Sequence, residues 1–378
     1  MTRPTTIIRG RIFDGRTLHA RGEARFEDGI LKEIGPLAKS APDAAVLDLG
    51  DDILAPGFVD LQVNGGDGIM LNDAPTMDTL RRMAAAHRRL GATLILPTLI
   101  TDTPKQSRAA IDAAKSAVEA KVGGILGLHL EGPHLSVARK GAHDPALIRP
   151  MTAEDLSVLI DAAQSLPVFK VTVAPENATP DQVSALADAG AIVALGHSDA
   201  DFDTCMGYAG AGARVVTHLF NAMSQLGNRE PGLVGAALTS GSLSAGLIAD
   251  GIHVHPAVMR AAWVAKPGPG RIFLVSDAMA PAGSDIESFR LNGRVVKRCD
   301  GRLTLEDGTL AGADLDLGSA VRVLVEAVGV PLEAALRSAT SVPADLAGAP
   351  EGAGYLKPGT RPAMIRLSPD YKAQVVEI

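Results

Sequence analysis

Short apolar segments of strand length alternate with helix-like segments through the middle of this chain. The sequence predicts buried strands at 54–62, 92–98, 124–131, 168–175, 191–197, 213–218, 245–250 and 271–277. Helical stretches lie between most of these strands, and several of them begin with Thr or Asp in the N-cap position and end at Gly. Eight such β/α units are the number that closes a parallel barrel, so we predict an α/β fold built on a (β/α)8 TIM-like barrel.

The alternative for an alternating chain of this kind is an open, doubly wound sheet. Such a sheet is expected to carry a glycine-rich phosphate-binding fingerprint directly after its first strand. The segment NGGDG at 64–68 does not match G-x-G-x-x-G, which counts against the open sheet.

The two ends of the chain differ in character from the middle. Residues 1–54 contain short β-prone pieces separated by Gly and Asp turns, and residues 347–378 contain Gly/Pro turns around two extended pieces. We predict that 1–54 and 347–378 pair into one discontinuous small β-sandwich domain. The catalytic barrel would then span 55–346, with a β-hairpin insertion near 286–312.

Charge and hydropathy restrict the partners of the chain. The net charge is -7 and no basic stripe is present, so no nucleic acid is expected as a partner. The N-terminus lacks the apolar core of a signal peptide, and no apolar stretch approaches the roughly 18 residues of a membrane helix. We therefore expect a cytoplasmic protein without a membrane partner, in which an anionic substrate needs only local cations.

Four of the predicted strands end on a side chain that can bind a metal or carry a proton. These side chains are Glu131, His197, His218 and Asp277. Burying a carboxylate or imidazole at the end of a strand costs desolvation free energy unless the group is paired with another side chain or bound to a metal. The carboxyl ends of barrel strands meet at one face, which predicts a shared site there. Two imidazoles and one carboxylate, with room for water, are the donor set of a catalytic zinc site.

The remaining polar residues near these ends refine the prediction. Asp277 is interpreted as an acid/base group rather than a ligand, although the sequence does not separate the two roles. Gln62 and Asn64 lie on one face of the first strand, where a binuclear hydrolase would carry His-x-His, so we predict a single metal. A His-x-His does occur at His253 and His255; we assign substrate contact to His253 and an exposed helix start to His255.

Eight motifs in this chain occur in the order and spacing of a known family. They are PGFVDLQVNGG, HLEGPH, KGAHDP, GHSDA, THLFNAMS, REPG, ADGIHVHP and VSDAMAP. The chain resembles, over essentially its whole length, the N-acetylglucosamine-6-phosphate deacetylase family of the amidohydrolase superfamily. THLFNAM with REPG, and Gln62 on the first strand, are specific to that family, whereas VSDA and PGFVD are shared more widely. The tail departs from the superfamily, because GTRPAMIRL stands where Gly-x-x-Ala-Asp is common.

The resemblance implies a metal centre and an acid/base residue. One divalent metal per subunit, zinc first and Fe2+, Co2+ or Mn2+ as alternatives, would be held by Glu131, His197 and His218. Asp277 would be the general base and then the general acid. Gln62 and His129 are candidates to contact these ligands without binding the metal. His129 shares a strand face with Glu131, and a buried core position without a role in the site is the alternative for it. His134 receives no role, and His87 is expected at the surface of a helix.

The resemblance also implies how an amino-sugar phosphate would be bound. His143 would contact the substrate and polarise the acetyl carbonyl, and His253 would reach the sugar or phosphate. Asn221 and the backbone of Ala222 would bind on the phosphate side. Arg229 would contact the phosphate from the neighbouring subunit of a homodimer.

The implied reaction is hydrolytic deacetylation of N-acetylglucosamine 6-phosphate to glucosamine 6-phosphate and acetate by a metal-activated water, in amino-sugar catabolism or cell-wall recycling. The same reaction on N-acetylgalactosamine 6-phosphate is the nearest alternative. An amidohydrolase acting on a cyclic amide or dipeptide is a second, against which Gln62 and Asn64 count. A catalytically inactive barrel used for binding is a third, against which the four intact strand ends count.

Overall fold

The computed structural model describes residues 5–36 and 44–378. The predicted small domain therefore lies partly outside the described residues, at 1–4 and 37–43. Within the described ranges, both chain ends contribute to one six-stranded sheet. Its strands are β1 (Thr5–Phe13), β2 (Leu18–Glu27), β3 (Ile30–Gly35), β4 (Ala45–Pro56), β19 (Met364–Leu367) and β20 (Ala373–Val376). Their order across the sheet is β20-β19-β4-β1-β2-β3. The domain bounds at 54 and 347 stay a prediction.

A second sheet of eight parallel strands forms the body of the protein, which confirms the predicted barrel. Its strands are β5 (Phe58–Val63), β8 (Ala92–Ile100), β9 (Gly127–Glu131), β10 (Val168–Val173), β11 (Ile192–Leu195), β12 (Val215–Val216), β13 (Ser244–Leu247) and β14 (Ile272–Leu274). Nearly every residue in these strands is buried, as expected for strands covered by helices on one side and filled with side chains on the other. A parallel bridge between Val63 and Ala278 joins the first strand to the last, just beyond the end of β14.

Helices connect the barrel strands, and their starts explain why the sequence folds in this way. The side chains of Thr76, Thr103, Thr152, Thr179 and Asp201 each accept a hydrogen bond from a backbone N–H in the first turn of the following helix. The α-helices are α1 (Met77–Arg89), α2 (Pro104–Glu119), α3 (Ala153–Ser165), α4 (Pro180–Asp188), α5 (Phe202–Gly210), α6 (Gly232–Thr239), α7 (Pro256–Ala265), α8 (Leu317–Val323), α9 (Leu332–Ala339) and α10 (Ser341–Ala347). A 3-10 turn covers Val137–Arg139, and a π-helical turn covers Leu324–Val328. None of the helices within the described ranges is both long and apolar enough to cross a membrane.

An antiparallel sheet is inserted after the eighth barrel strand, in the segment for which a hairpin was predicted. It has four strands, β15 (Ser288–Leu291), β16 (Arg294–Cys299), β17 (Arg302–Thr304) and β18 (Leu310–Ala313). Two short strands, β6 (Gly65–Gly66) and β7 (Ile69–Met70), form a separate ribbon after β5. The insertion has its own apolar cluster, in which Leu291, Val296 and Leu303 group with Met70 and Met279 at the carboxyl end of the barrel. The inserted sheet thus forms one wall above the barrel strands.

Candidate active site

Three of the four predicted strand-end residues meet at the carboxyl end of the barrel. Glu131 is the last residue of β9, and His197 and His218 each follow a strand by two positions, after β11 and β12. Oε1 of Glu131 lies 3.0 Å from Nε2 of His218 and 3.3 Å from Nε2 of His197. The two Nε2 atoms are 3.0 Å apart. The side chains predicted as ligands therefore converge on one point.

The backbone at the strand ends adopts an uncommon conformation. The φ angles of His197, His218 and Asp277 are 49°, 27° and 51°, in the left-handed region that non-glycine residues rarely occupy. Ala222 has a φ of 50°. Each such residue costs on the order of 1–3 kcal/mol, and such residues cluster at functional sites. After β11, β12 and β14, the chain passes through a strained residue whose side chain reaches the site.

The hydrogen-bonding of His197 fits a metal ligand. Its Nδ1 donates to the backbone oxygen of Arg139 at 2.8 Å, and because a carbonyl only accepts, the proton is on Nδ1. The lone pair of Nε2 then points towards Glu131 and His218. Metal-bound histidines characteristically donate their other ring nitrogen to a carbonyl or carboxylate in this way. Nδ1 of His218 is buried without a hydrogen-bond partner in the described residues. The carboxylate and two imidazole nitrogens fit a divalent metal of the zinc type.

Burial and neighbouring groups shift the pKa values of the two carboxylates in the site in opposite directions. Burial raises the pKa of Glu131, but the contacts of its carboxylate with the His197 and His218 imidazoles outweigh burial and hold that pKa well below its usual range. Burial, followed by the negative charge of Glu131, raises the pKa of Asp277. Glu131 is thus kept ionised, as a ligand must be, whereas Asp277 is poised to accept a proton.

Gln62 and Asn64 donate hydrogen bonds from their amide nitrogens to the two carboxylates. Nδ2 of Asn64 donates to Oδ1 of Asp277 at 2.7 Å. Nε2 of Gln62 donates to the same oxygen at 3.1 Å and to Oε1 of Glu131, also at 3.1 Å. Their positions at i and i+2 bring both amides to one face of β5, where they bind Oδ1 of Asp277.

His143 lies beside the predicted ligands. One ligand atom from each of Glu131, His143 and His197 lies within 4.8 Å of the others, which makes His143 a further candidate ligand. Its Nδ1 is hydrogen-bonded to Oγ1 of Thr101 at 2.7 Å, and its Nε2 lies 3.9 Å from Oε2 of Glu131. Burial lowers the pKa of His143 to about 3, so the ring is neutral at physiological pH.

A cavity of about 380 Å³ opens above these groups. Asn221, Ala222 and His253 line it together with the strand-end residues. Nδ1 of His253 is 2.6 Å from Oδ2 of Asp250, which fixes the ring. The inserted sheet and its loops contribute Leu291, Thr309, Leu310 and Gly312 to the wall. Arg229 does not line the cavity; it is exposed on the loop before α6.

His129 lies one layer below the site, inside the barrel. Its Nδ1 is 3.1 Å from Oγ1 of Thr98, and its Nε2 is 2.8 Å from Oγ1 of Thr172. Both ring nitrogens are therefore already occupied, which leaves no atom for a metal. The threonines hold the imidazole two residues before Glu131 on the same strand.

Two buried charged residues were not identified from the sequence. Lys170 is 1% exposed and pairs in register with His129, and burial lowers its pKa to about 8. Asp60 is also 1% exposed, and burial raises its pKa to about 7 despite hydrogen bonds from Ser276. The sequence signal for both is a charged residue within an otherwise apolar strand, Lys170 in VFKVTV and Asp60 in GFVDL.

The expectation that His87 lies at the surface was wrong. The ring is 2% exposed, and its Nε2 is 2.9 Å from the backbone oxygen of Gly65. Burial lowers the pKa of His87 to about 4. Arg88 and Arg89 beside it are exposed, which is why the local sequence indicated a solvated face. His255, by contrast, is exposed and caps α7 through Nδ1.

Comparisons with known proteins agree over nearly the whole chain. A family model described as the amidohydrolase family matches residues 53–378. The N-acetylgalactosamine-6-phosphate deacetylase of Shewanella sp. (strain ANA-3) is 45% identical over 328 residues, which cover 86% of this chain and 82% of that protein. The N-acetylglucosamine-6-phosphate deacetylase of Haemophilus influenzae is 33% identical, over 91% of this chain and 90% of its own. The crystal structure of N-acetylglucosamine-6-phosphate deacetylase from Pasteurella multocida superposes with a TM-score of 0.92 at 32% identity, covering 98% of this chain and 97% of that one.

Proposed function

Because this chain belongs to the amidohydrolase family, we propose that it hydrolyses the acetamide of an N-acetylated hexosamine 6-phosphate. The family resemblance expected from the motifs is confirmed. The proposed substrate is N-acetylglucosamine 6-phosphate, and N-acetylgalactosamine 6-phosphate is the alternative. The chain matches relatives named for the one activity and relatives named for the other. The observation that carries the proposal is the convergence of Glu131, His197 and His218 beside Asp277 at the floor of one cavity.

Glu131, His197 and His218 are the residues that would hold one divalent metal, which we propose to be zinc. When bound, such an ion supplies Lewis-acid polarisation of the acetyl carbonyl and of a water molecule. Glu131 contributes the negative charge of the donor set. His197 is fixed in its tautomer by the carbonyl of Arg139.

Asp277 is proposed to carry the proton. Its Oδ1 accepts from both Gln62 and Asn64, so Oδ2 is the oxygen free to take a proton from the attacking water. The same oxygen then delivers that proton to the departing amine, because an amine leaves an amide readily only when protonated. His143 is proposed to contact the acetyl oxygen, where a neutral imidazole can donate to the developing negative charge.

The phosphate is proposed to bind on the side of the cavity formed by Asn221, the backbone of Ala222 and His253. Arg229 is proposed to reach that phosphate from the neighbouring subunit of a homodimer. Its exposure on a loop outside its own cavity supports this arrangement. Leu226, on the same loop, is 59% exposed, an apolar side chain that a subunit interface would cover. We place the enzyme in cytoplasmic amino-sugar catabolism or cell-wall recycling.

The deciding experiment is an acetate-release assay on both epimeric N-acetylhexosamine 6-phosphates, before and after removal of bound metal. We expect turnover of N-acetylglucosamine 6-phosphate that is lost on chelation and restored by zinc. A higher kcat/KM for the galactosamine epimer would establish the alternative substrate. Release of acetate from neither epimer by the metal-loaded protein would reject the proposed function and favour the inactive barrel.

A further inference from the structure

A second cavity, of about 370 Å³, lies at the opposite end of the barrel. Trp263 and Lys266 line it from the end of α7, Arg271 and Ile272 from the start of β14, and Arg337 from α9. Ile272 begins β14, whereas Asp277 follows the end of that strand. The two cavities are therefore at opposite faces of the barrel, and among the described residues none lines both of them.

The second cavity is positively charged. Lys266, Arg271 and Arg337 line it, and no Asp or Glu is among its lining residues in the described part of the chain. Within residues 5–36 and 44–378, the guanidinium of Arg271 has no hydrogen bond or ion pair. Arg337 forms a long ion pair with Glu333, with 3.8 Å between Nη1 and Oε1, and both side chains are more than a third exposed. Cations gathered without carboxylates repel one another, so an anion bound between them would relieve that repulsion.

Lys266 is held in place at the edge of this cavity. Its Nζ donates to the backbone oxygen of Ser240 at 2.6 Å. Burial lowers the pKa of the Lys266 ammonium to about 8, so it is still largely protonated at neutral pH. The attraction between an anion and a half-buried ammonium is screened less by water and salt than the same attraction on an open surface.

The loop between α7 and β14 gives the cavity a fixed shape. The backbone N–H of Gly270 donates to the oxygen of Gly241 at 2.7 Å. A Cβ at Gly270 would lie 2.3 Å from the oxygen of Leu243, and one at Gly241 would lie 2.7 Å from the oxygen of Gly268. The two loops approach too closely for side chains at these positions, so Gly241 and Gly270 fix the backbone on this side of the cavity.

We propose that this second cavity binds a small phosphomonoester whose sugar ring packs against Trp263. Arg and Lys side chains are the usual ligands of phosphate oxygens, and the flat face of an indole suits a ring with apolar C–H groups. The volume is close to that of the active-site cavity, about 370 against about 380 Å³. The inference is independent of the reaction carried out at the other face.

Trp263 makes the proposal directly measurable, because it is the only tryptophan in the chain. Its fluorescence is followed in the full-length protein during titration with glucose 6-phosphate, inorganic phosphate and glucose, at constant ionic strength. We expect a saturable change with glucose 6-phosphate, weaker binding of inorganic phosphate by about tenfold, and no response to glucose. If glucose changed the Trp263 fluorescence as much as glucose 6-phosphate does, the phosphate would not be required for binding, and the proposal would be rejected.

Variants assign the response to the cavity. Arg271→Ala and Lys266→Gln should each raise the Kd for glucose 6-phosphate by about tenfold or more, the loss of one charge-assisted contact. Arg88→Ala is the matched control, since Arg88 is exposed and paired with Glu377 at 3.0 Å elsewhere on the surface. Calorimetric titration of the same proteins covers the case in which binding leaves the fluorescence unchanged. An unchanged Kd in both cavity variants by both methods overturns the proposal.

Discussion

Asn64 donates a hydrogen bond of 2.7 Å from its Nδ2 to Oδ1 of Asp277. Asn64 follows the first barrel strand and Asp277 follows the last, so this bond spans the seam at which the barrel closes. The backbone N–H of Asn64 also donates to the oxygen of Ala278, at 2.8 Å. The position of the proposed proton carrier therefore depends on closure of the barrel, and not on the loop after β14 alone.

Asp277→Asn should lower kcat for acetate release by about a thousandfold, because an amide cannot carry the proton between water and amine. Steady-state kinetics on the metal-loaded protein provides the measurement. Asp203→Asn, an exposed residue in the first turn of α5, is the matched control and should leave kcat unchanged. A kcat for Asp277→Asn within about twofold of wild type would rule out the proton-transfer role.

Asn64→Ala should shift the acidic limb of the kcat/KM profile to higher pH. The Asn64 amide stabilises the ionised form of Asp277, so its loss raises the pKa of a carboxylate already raised by burial and by Glu131. The base is then protonated over a wider acidic range. The pH profile of the variant is compared with that of wild type, and an acidic limb at the same or lower pH would contradict the assigned contact.

His218→Ala should abolish stoichiometric metal binding. The purified protein should hold about one zinc per chain, and the variant about a tenth of that or less, because a catalytic zinc needs three protein ligands. Elemental analysis by mass spectrometry gives the metal content without relying on activity. His255→Ala, at an exposed helix cap, is the control. Full zinc occupancy in the His218 variant would exclude it as a ligand.

Mixing two inactive variants tests whether Arg229 acts across a subunit interface. Arg229→Ala chains keep Asp277, and Asp277→Asn chains keep Arg229, so a mixed dimer contains one complete site if Arg229 acts in trans. Equal amounts, unfolded and refolded together, should recover about a quarter of wild-type activity at subsaturating substrate. Each variant refolded alone gives the baseline. No recovery in mixtures shown to contain heterodimers would place Arg229 outside the neighbouring site.

His87 should make the protein sensitive to acid. Its pKa is about 4 in the folded protein because of burial, and about 6.5 in the unfolded chain, so acidification favours the protonated unfolded state between these values. From pH 6.5 to pH 4, the unfolding free energy of wild type should fall by about 3 kcal/mol more than that of His87→Gln. Urea denaturation at several pH values measures this difference, with His255→Gln as the exposed control. Parallel pH dependences in wild type and the His87 variant would contradict the buried neutral state.

The barrel and the meeting of its strand ends could be predicted because both follow from alternation along the chain. Apolar runs mark buried strands, and parallel strands bring their carboxyl ends to one face, so the proximity of Glu131, His197 and His218 follows from the sequence pattern. The amide contacts of Gln62 and Asn64 depend on the distance between the first and last strands, which no local pattern contains. The burial of His87 was missed because the arginines that follow it are solvated while the ring turns inward to Gly65.

The inserted sheet shapes part of the cavity wall, whereas the groups proposed to react lie at the ends of the barrel strands. Leu291 and Leu310 line the cavity, yet neither belongs to the barrel strands that position the proposed ligands and the proposed proton carrier. The apolar cluster that contains Leu291, Val296 and Leu303 is separate from the main barrel core, to which Ala313 of the insertion belongs. Changes at Leu291 and Leu310 should therefore alter the shape of the cavity without replacing a proposed ligand or the proposed proton carrier, whereas Gly312 and Ala313 adjoin the backbone of Asp277 and are not free to vary in the same way.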